Sequence, residues 1–387
     1  MTPQPAEPSS EQIAAALIGL YVLAEHELLA GVSAVLRMPW SVSRDALILT
    51  RARLLVRQVL TYLTARSTPM LQAMITAAVA EGRRDAELVL TRAHQAGGGG
   101  GGRVPPGRDV TFPGGDPFDL SMPHGERAAA AIRNDIVSSL DDVRFRITRL
   151  PDDIYKMIAP NGAVRQVLDN NVTPAQAQAM AWRVFVSQGI TGFTDKSGRN
   201  WSLSAYTEMA VRTAATRAYN ASHLARMQAL GVDYFSVPDT GHPCPLCFPW
   251  QGRVLTATPV AYPTIPVDAT IAEATAAGLF HPNCKHTLIP VFPGVTVLPE
   301  AHVWTPEMQD AYDLSQKQRR LELDVRKAKR QLEFAVSPET RADARVKVRA
   351  GQAKLRDFVA TSGFARDYRR EQVDLTDARI KLPTPIR

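Results

Sequence analysis

The sequence predicts a mainly α-helical protein with one small α+β module and a C-terminal amphipathic helical hairpin. Three observations lead to this prediction. Only 7% of the 387 residues are aromatic although 45% are hydrophobic, which favours helices over large β-sheets. Apolar residues recur at helical spacing along most of the chain. A cluster of cysteine and histidine lies between two short segments that are predicted to be strands.

The predicted organisation has six parts in chain order. They are a disordered stretch (1–10), an N-terminal helical region (11–96), a Gly/Pro-rich linker (97–122), a helical core (123–231), a Cys/His module (232–300) and a basic helical C-terminal region (301–387).

The N-terminal helical region carries an apolar stripe with a period near 3.6 residues. Ser43 and Thr68 are predicted N-caps, and Pro69 would take the first helical position after Thr68. The region is therefore predicted to hold about three helices. The stripe consists of Ile48, Ala52, Leu55, Val59 and Leu63. Six consecutive glycines at 97–102 then predict a flexible linker.

The helical core is predicted from a second apolar pattern and from end signals. The pattern runs from Ile132 to Leu150, and Pro151 is predicted to stop it. Thr173 then begins a helix through a capping box, and Gly189 ends that helix. A long helix from about Ser204 is predicted to run to about Leu230, with Gly231 as its C-cap.

Two short strands, at 233–237 and 287–292, are predicted to flank the Cys/His module. After the module, a seam that repeats every seven residues predicts one amphipathic helix, and Ser337 begins a second. The seam residues are Leu321, Val325, Ala328 and Leu332, followed by Ala344, Val348, Leu355 and Val359. Two such helices predict a hairpin or a coiled coil that binds a partner.

The charge balance indicates an anionic partner such as nucleic acid. The net charge is +7, and residues 301–387 carry 19 Lys and Arg against 13 Asp and Glu. Three cysteines do not form a closed disulfide framework, and the N-terminus lacks the basic segment of a signal peptide. The apolar run at 13–24 is too short to span a bilayer. We expect a soluble protein that is made in a reducing cytoplasm and has no membrane partner.

All three cysteines lie in one window with two histidines. The window contains Cys244-Pro-Leu-Cys247 and His281-Pro-Asn-Cys284-Lys-His286. Paired ligands at this spacing are typical of a tetrahedral Zn²⁺ site. Cys244, Cys247 and Cys284 would bind the ion with either His281 or His286, and His242 is a weaker candidate. A site with four protein ligands is closed, so the sequence predicts a zinc-stabilised module to which the ion contributes on the order of 10 kcal/mol.

Four other interpretations of the cluster are weaker. A zinc deaminase would pair His124-Gly-Glu126 with Cys244-x-x-Cys247, but the two halves are too far apart along the chain. A His-Asn-His nuclease would use His281, Asn283 and His286, which compete for zinc. A thiol oxidoreductase needs a helix at Cys244, where prolines crowd the sequence. Buried, metal-free thiols do not explain two matched pairs.

Four pieces of sequence carry a family resemblance. They are Gly198-Arg-Asn-Trp201 with the helix that follows it, Ala218-Tyr219-Asn220 running to Asp233, Cys244-x-x-Cys247 followed by Trp250-Gln-Gly252, and His281-Pro-Asn-Cys284-Lys-His286. In this order they resemble the phage minor capsid protein 2 family, related to the F protein of phage Mu. Relatives often have Cys-x-Cys where this chain has Cys284-Lys-His286.

The resemblance implies a non-enzymatic, structural protein of the virion that is assembled in the host cytoplasm. It would associate with the portal protein and other capsid or scaffold proteins, and act in head assembly or in DNA packaging and delivery. The N-terminal helices would bind the portal or scaffold, or be a phage-specific addition. The basic C-terminal helices, including the run at 319–330, would contact a protein partner or packaged DNA. The alternatives are a nuclease or a DNA-binding module that uses the same cluster.

Overall fold

The structure is a computed structural model that describes residues 8–39, 41–97, 123–158, 173–194, 200–241, 244–261, 263–299 and 303–373. These residues are mainly helical with a small sheet, which confirms the predicted fold class at that level. The helices are α1 (Ser10–Leu36), α2 (Val42–Gly97), α3 (Pro123–Ile158), α4 (Pro174–Gln188), α5 (Leu203–Ala229), α6 (Ile271–Ala276), α7 (Pro306–Glu333) and α8 (Pro338–Ser362).

The strands are short and form two sheets. Strands β1 (Thr191–Thr194) and β2 (Asn200–Ser202) make an antiparallel pair. The second sheet contains β3 (Tyr234–Ser236), β4 (Leu255–Thr256), β5 (Ala269–Thr270) and β6 (Ile289–Pro290). Its strand order is β5-β4-β3-β6, with β3 antiparallel to both of its neighbours and β4 parallel to β5. Strands β3 and β6 lie inside the two segments that the sequence predicts to be strands.

The chain forms two compact units, each built from three separate segments. The sheet unit contains Met1–Ala14, Leu71–Val137 and Met209–Asp313, and so holds the four-stranded sheet. The helical unit contains Ala15–Met70, Ser138–Glu208 and Leu314–Arg387. Each unit has its own buried apolar residues.

The helical unit is organised around Trp182 of α4. This side chain is buried, and its indole N–H lies 3.2 Å from Ser33 Oγ and 3.1 Å from the Phe334 carbonyl oxygen. The apolar stripe predicted in α2 is buried in the same unit, from Ile48 to Leu63. One buried carboxylate is satisfied there, because Glu25 accepts the Ile190 backbone N–H at 2.9 Å.

Several predicted helix ends are confirmed. Thr173 caps α4 through a capping box, and Gly189 ends that helix with a φ of 73°. Gly231 follows α5 with a φ of 86°, as expected for a residue just beyond a helix. Ser337, which the sequence predicts to begin this helix, caps α8 by accepting a hydrogen bond from the Thr340 N–H.

Three predicted helix boundaries are wrong, and two of them involve proline. Ser43 does not cap a helix but lies inside α2, which begins at Val42, and the described N-terminal residues form two helices rather than about three. Pro69 does not begin a helix but lies inside α2, and Pro151 does not end α3, which continues to Ile158. An interior proline costs about 3 kcal/mol. The turns beyond each proline bury apolar side chains that offset this cost, Leu71 and Met74 in α2 and Ile154 in α3.

The predicted C-terminal hairpin is present within the helical unit. Gly351 of α8 approaches Val325 of α7, and Lys317 Nζ of α7 lies 5.5 Å from the ring centre of Phe358 in α8. The two helices run antiparallel, since later residues of α8 meet earlier residues of α7. Gly351 allows the close approach, because an added Cβ would lie 3.2 Å from Val325 Cγ2.

Helix α1 is apolar over a longer stretch than the run at 13–24 noted in the sequence. By length and composition it could cross a membrane, and 61% of its most apolar 18-residue window is buried inside the protein. A buried core helix of a soluble protein has the same character. The absence of a membrane partner therefore stays a prediction.

Some sequence predictions fall on residues outside the described ranges. They are the predicted disorder at 1–7, most of the linker (98–122), His242, and Gly198 with Arg199 of the family resemblance. Helix α1 begins at Ser10, whose backbone N–H donates to Glu81 Oε1 at 2.8 Å within the sheet unit.

Candidate metal centre

The first pair of candidate ligands lies on a tight turn. The backbone N–H groups of Cys247 and Phe248 donate to the Cys244 carbonyl oxygen at 3.2 and 2.9 Å. A short 3-10 helix, Phe248–Trp250, follows directly, so no α-helix begins at these cysteines. The turn places the Cys247 side chain in the apolar core of the sheet unit, while Cys244 is half-buried.

The second pair lies on a matching turn. The Cys284 backbone N–H donates to the His281 carbonyl oxygen at 2.9 Å. Phe280 and Asn283 adopt φ values of 57° and 64°, a left-handed conformation that asparagine tolerates better than phenylalanine. Two left-handed residues at these positions bend the chain enough to bring His281, Cys284 and His286 back toward the first turn.

Helix α5 holds the second turn through side chains on one face. Thr213 Oγ1 accepts the Asn283 backbone N–H at 3.3 Å, and Asn220 Nδ2 donates to the His286 carbonyl oxygen at 3.1 Å. His223 Nε2 lies 3.1 Å from the Leu288 carbonyl oxygen. Spacings of seven and three residues keep these side chains on the same side of a helix.

The sequence analysis did not identify His223 as part of this site. Its other ring nitrogen, Nδ1, lies 3.0 Å from the Gly82 carbonyl oxygen of α2, so the buried imidazole links α2 to the segment after the second turn. The signal available in the sequence was the spacing of Thr213, Asn220 and His223 on one face of the predicted helix. That pattern identifies a polar stripe but not its partners.

The two turns bring all five predicted ligands together. Cys244 Sγ lies 3.2 Å from His281 Nε2, and Cys247 Sγ lies 3.6 Å from Cys284 Sγ. Cys284 Sγ lies 3.5 Å from His286 Nδ1. The five form two groups that share Cys247, and the ligand atoms within each group lie within 4.8 Å of one another. One group adds Cys244 and His281, and the other adds Cys284 and His286.

The sulfur atoms strongly perturb one another's protonation. Hydrogen bonding to Cys247 lowers the pKa of Cys244 to about 3 and that of Cys284 to about 4. The pKa of Cys247 is raised in turn, chiefly by its contact with Cys244 and then by its contact with Cys284. Contact with the Cys244 sulfur raises the pKa of His281 to about 9. The cluster therefore concentrates negative charge on sulfur.

The donor set fits a soft divalent cation. A tetrahedral Zn²⁺ with Zn–S bonds of about 2.3 Å requires sulfur atoms about 3.8 Å apart, close to the Cys247–Cys284 separation of 3.6 Å. Three sulfurs and an imidazole are typical of structural zinc sites. Cys247, Cys284 and His286 are buried, so little of such a site would face solvent.

The geometry of the described residues does not support the deaminase, nuclease or oxidoreductase interpretations. The side chains of His124 and Glu126, required for the deaminase interpretation, lie outside the described residues. Asn283, required for the nuclease, has an exposed side chain. Cys247 directly precedes a three-residue 3-10 helix rather than the α-helix that the oxidoreductase interpretation needs.

Comparison with known proteins gives two matches. The family profile of phage minor capsid protein 2 matches residues 123–360, which is more than half of the chain. A structural protein of Lactococcus phage LL-H is 33% identical over 193 residues, or 47% of this chain and 51% of that protein. The chain thus spans about half the length of this curated relative. No solved structure matches the chain.

Proposed function

Because the chain belongs to the phage minor capsid protein 2 family, we propose that it acts at the portal and the capsid interior, in head assembly or in DNA packaging and delivery. Family membership makes it a structural protein of a phage particle. The match over 123–360 is the observation that carries the proposal, since it includes α3, the Cys/His turns and most of the hairpin.

Phage particles lacking the protein test this role. A nonsense mutation in its gene should leave coat protein synthesis intact but yield heads that are malformed, empty or not infectious. Mass spectrometry of purified wild-type particles should detect the chain in few copies, and it should co-purify with the portal protein when the two are co-expressed. Normal infectivity without the protein would refute the role, and failure to co-purify would refute portal association.

The Cys/His cluster supports a second part of the proposal, a structural Zn²⁺ site rather than a catalytic one. Ligands held on two backbone turns and supported by α5 would fix the segment after β3 and the segment before β6 relative to each other. Elemental analysis of the full chain should find one zinc per molecule. Mg²⁺-dependent DNA cleavage that is lost in His281→Ala would favour the nuclease instead.

DNA is a further proposed partner, but the basic run on α7 is a weaker candidate than it appears in the sequence. Arg326 donates to the Arg370 carbonyl oxygen at 2.9 and 2.6 Å, and Lys329 donates to Gln372 Oε1 at 3.1 Å. Arg330 lies 3.9 Å from the buried carboxylate of Glu25. Much of this run is therefore occupied with contacts inside the helical unit.

Helix α8 offers a better surface for phosphate groups. Four exposed arginines lie within about 80° of its circumference and extend along about 22 Å of its axis. The acidic residues of α8 lie on other faces of the helix, about 80° or more away. Such a stripe could follow a phosphate backbone. The four are Arg341, Arg345, Arg349 and Arg356.

The salt dependence of DNA binding tests this surface. Arg345→Ala with Arg349→Ala should weaken binding and lower the slope of log K against log salt by about 2, since each phosphate contact contributes about 0.9. The control, Arg319→Ala with Lys327→Ala, removes the same charge from exposed positions of α7. Equal losses in both pairs, or binding that is insensitive to salt, would count against the α8 stripe.

A further inference from the structure

The two histidines of the cluster have different hydrogen-bond partners. The contacts of His281 are typical of a metal ligand, and those of His286 are typical of a residue that supports a ligand. His281 Nδ1 lies 2.8 Å from the Pro282 carbonyl oxygen. A carbonyl oxygen only accepts hydrogen bonds, so Nδ1 must carry a proton, which leaves the lone pair of the neutral ring on Nε2. Nε2 is the nitrogen that faces Cys244 Sγ, at 3.2 Å. Histidines that bind metals are typically oriented by such a second hydrogen bond.

His286 is enclosed on both sides of its ring. Its Nε2 lies 3.4 Å from the amide nitrogen of Gln251 and 3.5 Å from Thr240 Oγ1, so this nitrogen already has hydrogen-bond donors beside it. If Nε2 accepts, the ring proton lies on Nδ1, which is 3.5 Å from Cys284 Sγ. The His286 backbone N–H also donates to Cys284 Sγ, at 3.4 Å.

From these contacts we propose that Cys244, Cys247, Cys284 and His281 bind one Zn²⁺, and that His286 stays outside the coordination shell and donates hydrogen bonds to the Cys284 thiolate. This inference rests on the structural zinc site proposed above and assigns its ligands. Two N–H groups on one sulfur would balance part of the excess negative charge that three thiolates place around a divalent ion.

The arrangement of neighbouring elements favours the same assignment. Asn220 of α5 holds the His286 backbone, and Gln251 is fixed beside β3 by its bridge to Val237. Coordination through His286 Nδ1 would place the ring proton on Nε2, where it would face the donating amide nitrogen of Gln251. His281 is half-buried at the open side of the cluster, where its ring can adjust to an ion.

Spectroscopy of the cobalt-substituted full chain tests the assignment. Co²⁺ in the wild type should give the absorption of a tetrahedral site with three sulfurs and one nitrogen. His286→Gln should keep the same absorption bands but bind the ion about 10- to 100-fold more weakly, as expected for loss of an outer hydrogen bond. His281→Ala should change the band pattern, because a ligand is replaced.

The opposite pattern, with bands changed by His286→Gln and kept by His281→Ala, would overturn the assignment while leaving the metal site in place. A wild-type chain that binds neither Zn²⁺ nor Co²⁺ would overturn both. Nitrogen NMR of histidines in the zinc-loaded wild type does not depend on variants that fold. It should show metal bound to Nε2 of His281 and a free ring at His286, and a metal-bound His286 would refute the inference.

Discussion

Among single residues, Cys247 is the most constrained member of the cluster. In the described part of the chain it is the one residue common to both groups of candidate ligands, and its side chain is fully buried. Contacts with Cys244 and Cys284 raise its pKa, so the thiol keeps its proton unless a cation lies beside it. A bound divalent ion would deprotonate all three cysteines, because the thiolate is the form that binds metal.

Cys247→Ser should abolish stoichiometric zinc binding and lower the thermal stability of the sheet unit. Serine binds zinc poorly and also places a hydroxyl in the apolar core around Cys247. Zinc content and melting temperature, measured on the same samples, check this result. The control is Lys285→Ala, an exposed neighbour of two candidate ligands, which should keep both values. Full zinc content in Cys247→Ser would contradict the ligand assignment.

Residue spacing predicted which side chains meet at the site but not how they act. The motif spacing identified Cys244, Cys247, Cys284 and both histidines, and the fold brings all five together. The difference between His281 and His286 depends on the Pro282 carbonyl oxygen and on Gln251, which lies 35 residues from His286 in the sequence. Contacts of that range follow from packing, which no local pattern encodes.

Among the secondary-structure elements, α2 and α5 approach each other closely at Gly82. An added Cβ would collide with the Tyr219 carbonyl oxygen and lie 3.1 Å from the His223 backbone nitrogen. Backbone atoms cannot move aside as a flexible side chain can. The close approach of the two helices therefore fixes the position of His223 relative to the second turn. His223 contacts the Leu288 carbonyl oxygen in the segment that follows this turn.

Gly82→Ala should destabilise the sheet unit by about 1–3 kcal/mol, because overpacking outweighs the gain in helix propensity. Chemical denaturation of the zinc-loaded chain measures the effect. Gly351→Ala is the contrasting variant, since its Cβ would meet only the Val325 side chain and backbone at 3.2 Å or more. It should be much less destabilising. Equal effects at the two positions would argue against a backbone collision at Gly82.

The hairpin helix α7 contains a buried carboxyl with a distinct dependence on pH. Burial raises the pKa of Glu322, and Arg370 and Gln318 offset only part of this effect. A raised carboxyl pKa means that the folded state binds the proton more tightly than the unfolded state. Burying the charged carboxylate therefore lowers the stability of the folded state by its full amount when the pH is above the folded and the unfolded pKa of Glu322. This loss of stability disappears below the unfolded pKa of about 4.3, where the carboxyl is neutral in both states.

Glu322→Gln should therefore raise the melting temperature near pH 7, and the difference from wild type should shrink toward pH 4. Glu339→Gln is a control of opposite sign. Hydrogen bonds with its own backbone N–H and then with Ser337 lower the pKa of Glu339, so its loss should reduce stability at pH 7. Melting curves across this pH range check both. A Glu322→Gln variant that is less stable than wild type at pH 7 would refute the prediction.

Element boundaries were predicted well where caps decide them and poorly where packing does. Thr173, Gly189 and Ser337 carry local hydrogen-bonding signals that the structure confirms. Pro69 and Pro151 carry equally strong local signals for a boundary, yet α2 and α3 pass through them. Burial of apolar side chains beyond each proline outweighs its local cost, and the sequence alone does not give the extent of that burial.

For the whole molecule, the sheet unit includes residues that lie before the region matched by the family profile. The matched region starts at residue 123, but the last turns of α2 belong to the same unit as the cluster. Tyr219 donates to Asp85 at 2.7 Å, and Arg226 pairs with Glu87 at 2.8 Å. The N-terminal region therefore contributes to the sheet unit, whatever else it binds.

Deleting residues 1–122 should consequently destabilise the sheet unit, because the α5 face that meets α2 would be exposed. We expect a lower melting temperature and more binding of a hydrophobic dye by the 123–387 chain. Removing only residues 1–8, which precede α1, is the matched control and should change neither. A 123–387 chain as stable as the full protein would show that the α2 contacts contribute little.

Metal removal should act unevenly across the two units. A strong chelator should increase hydrogen exchange in the sheet unit, at β3, β6 and the C-terminal half of α5, because the ligand turns pack against them. Helices α4 and α8 lie in the helical unit and should keep their protection. Adding zinc back should reverse the change. Equal loss of protection in both units would contradict a local structural role for the ion.

The 37 residues that separate Cys247 from Cys284 also give the cluster a role in folding kinetics. A metal bound by both turns closes a loop of that length, and a permanent cross-link of this size removes about 4 kcal/mol of conformational freedom from the unfolded chain. A chain that binds the ion before it folds would begin folding with β3 and β6 already near each other. Refolding should then be faster when zinc is present from the start than when it is added after the sheet has formed.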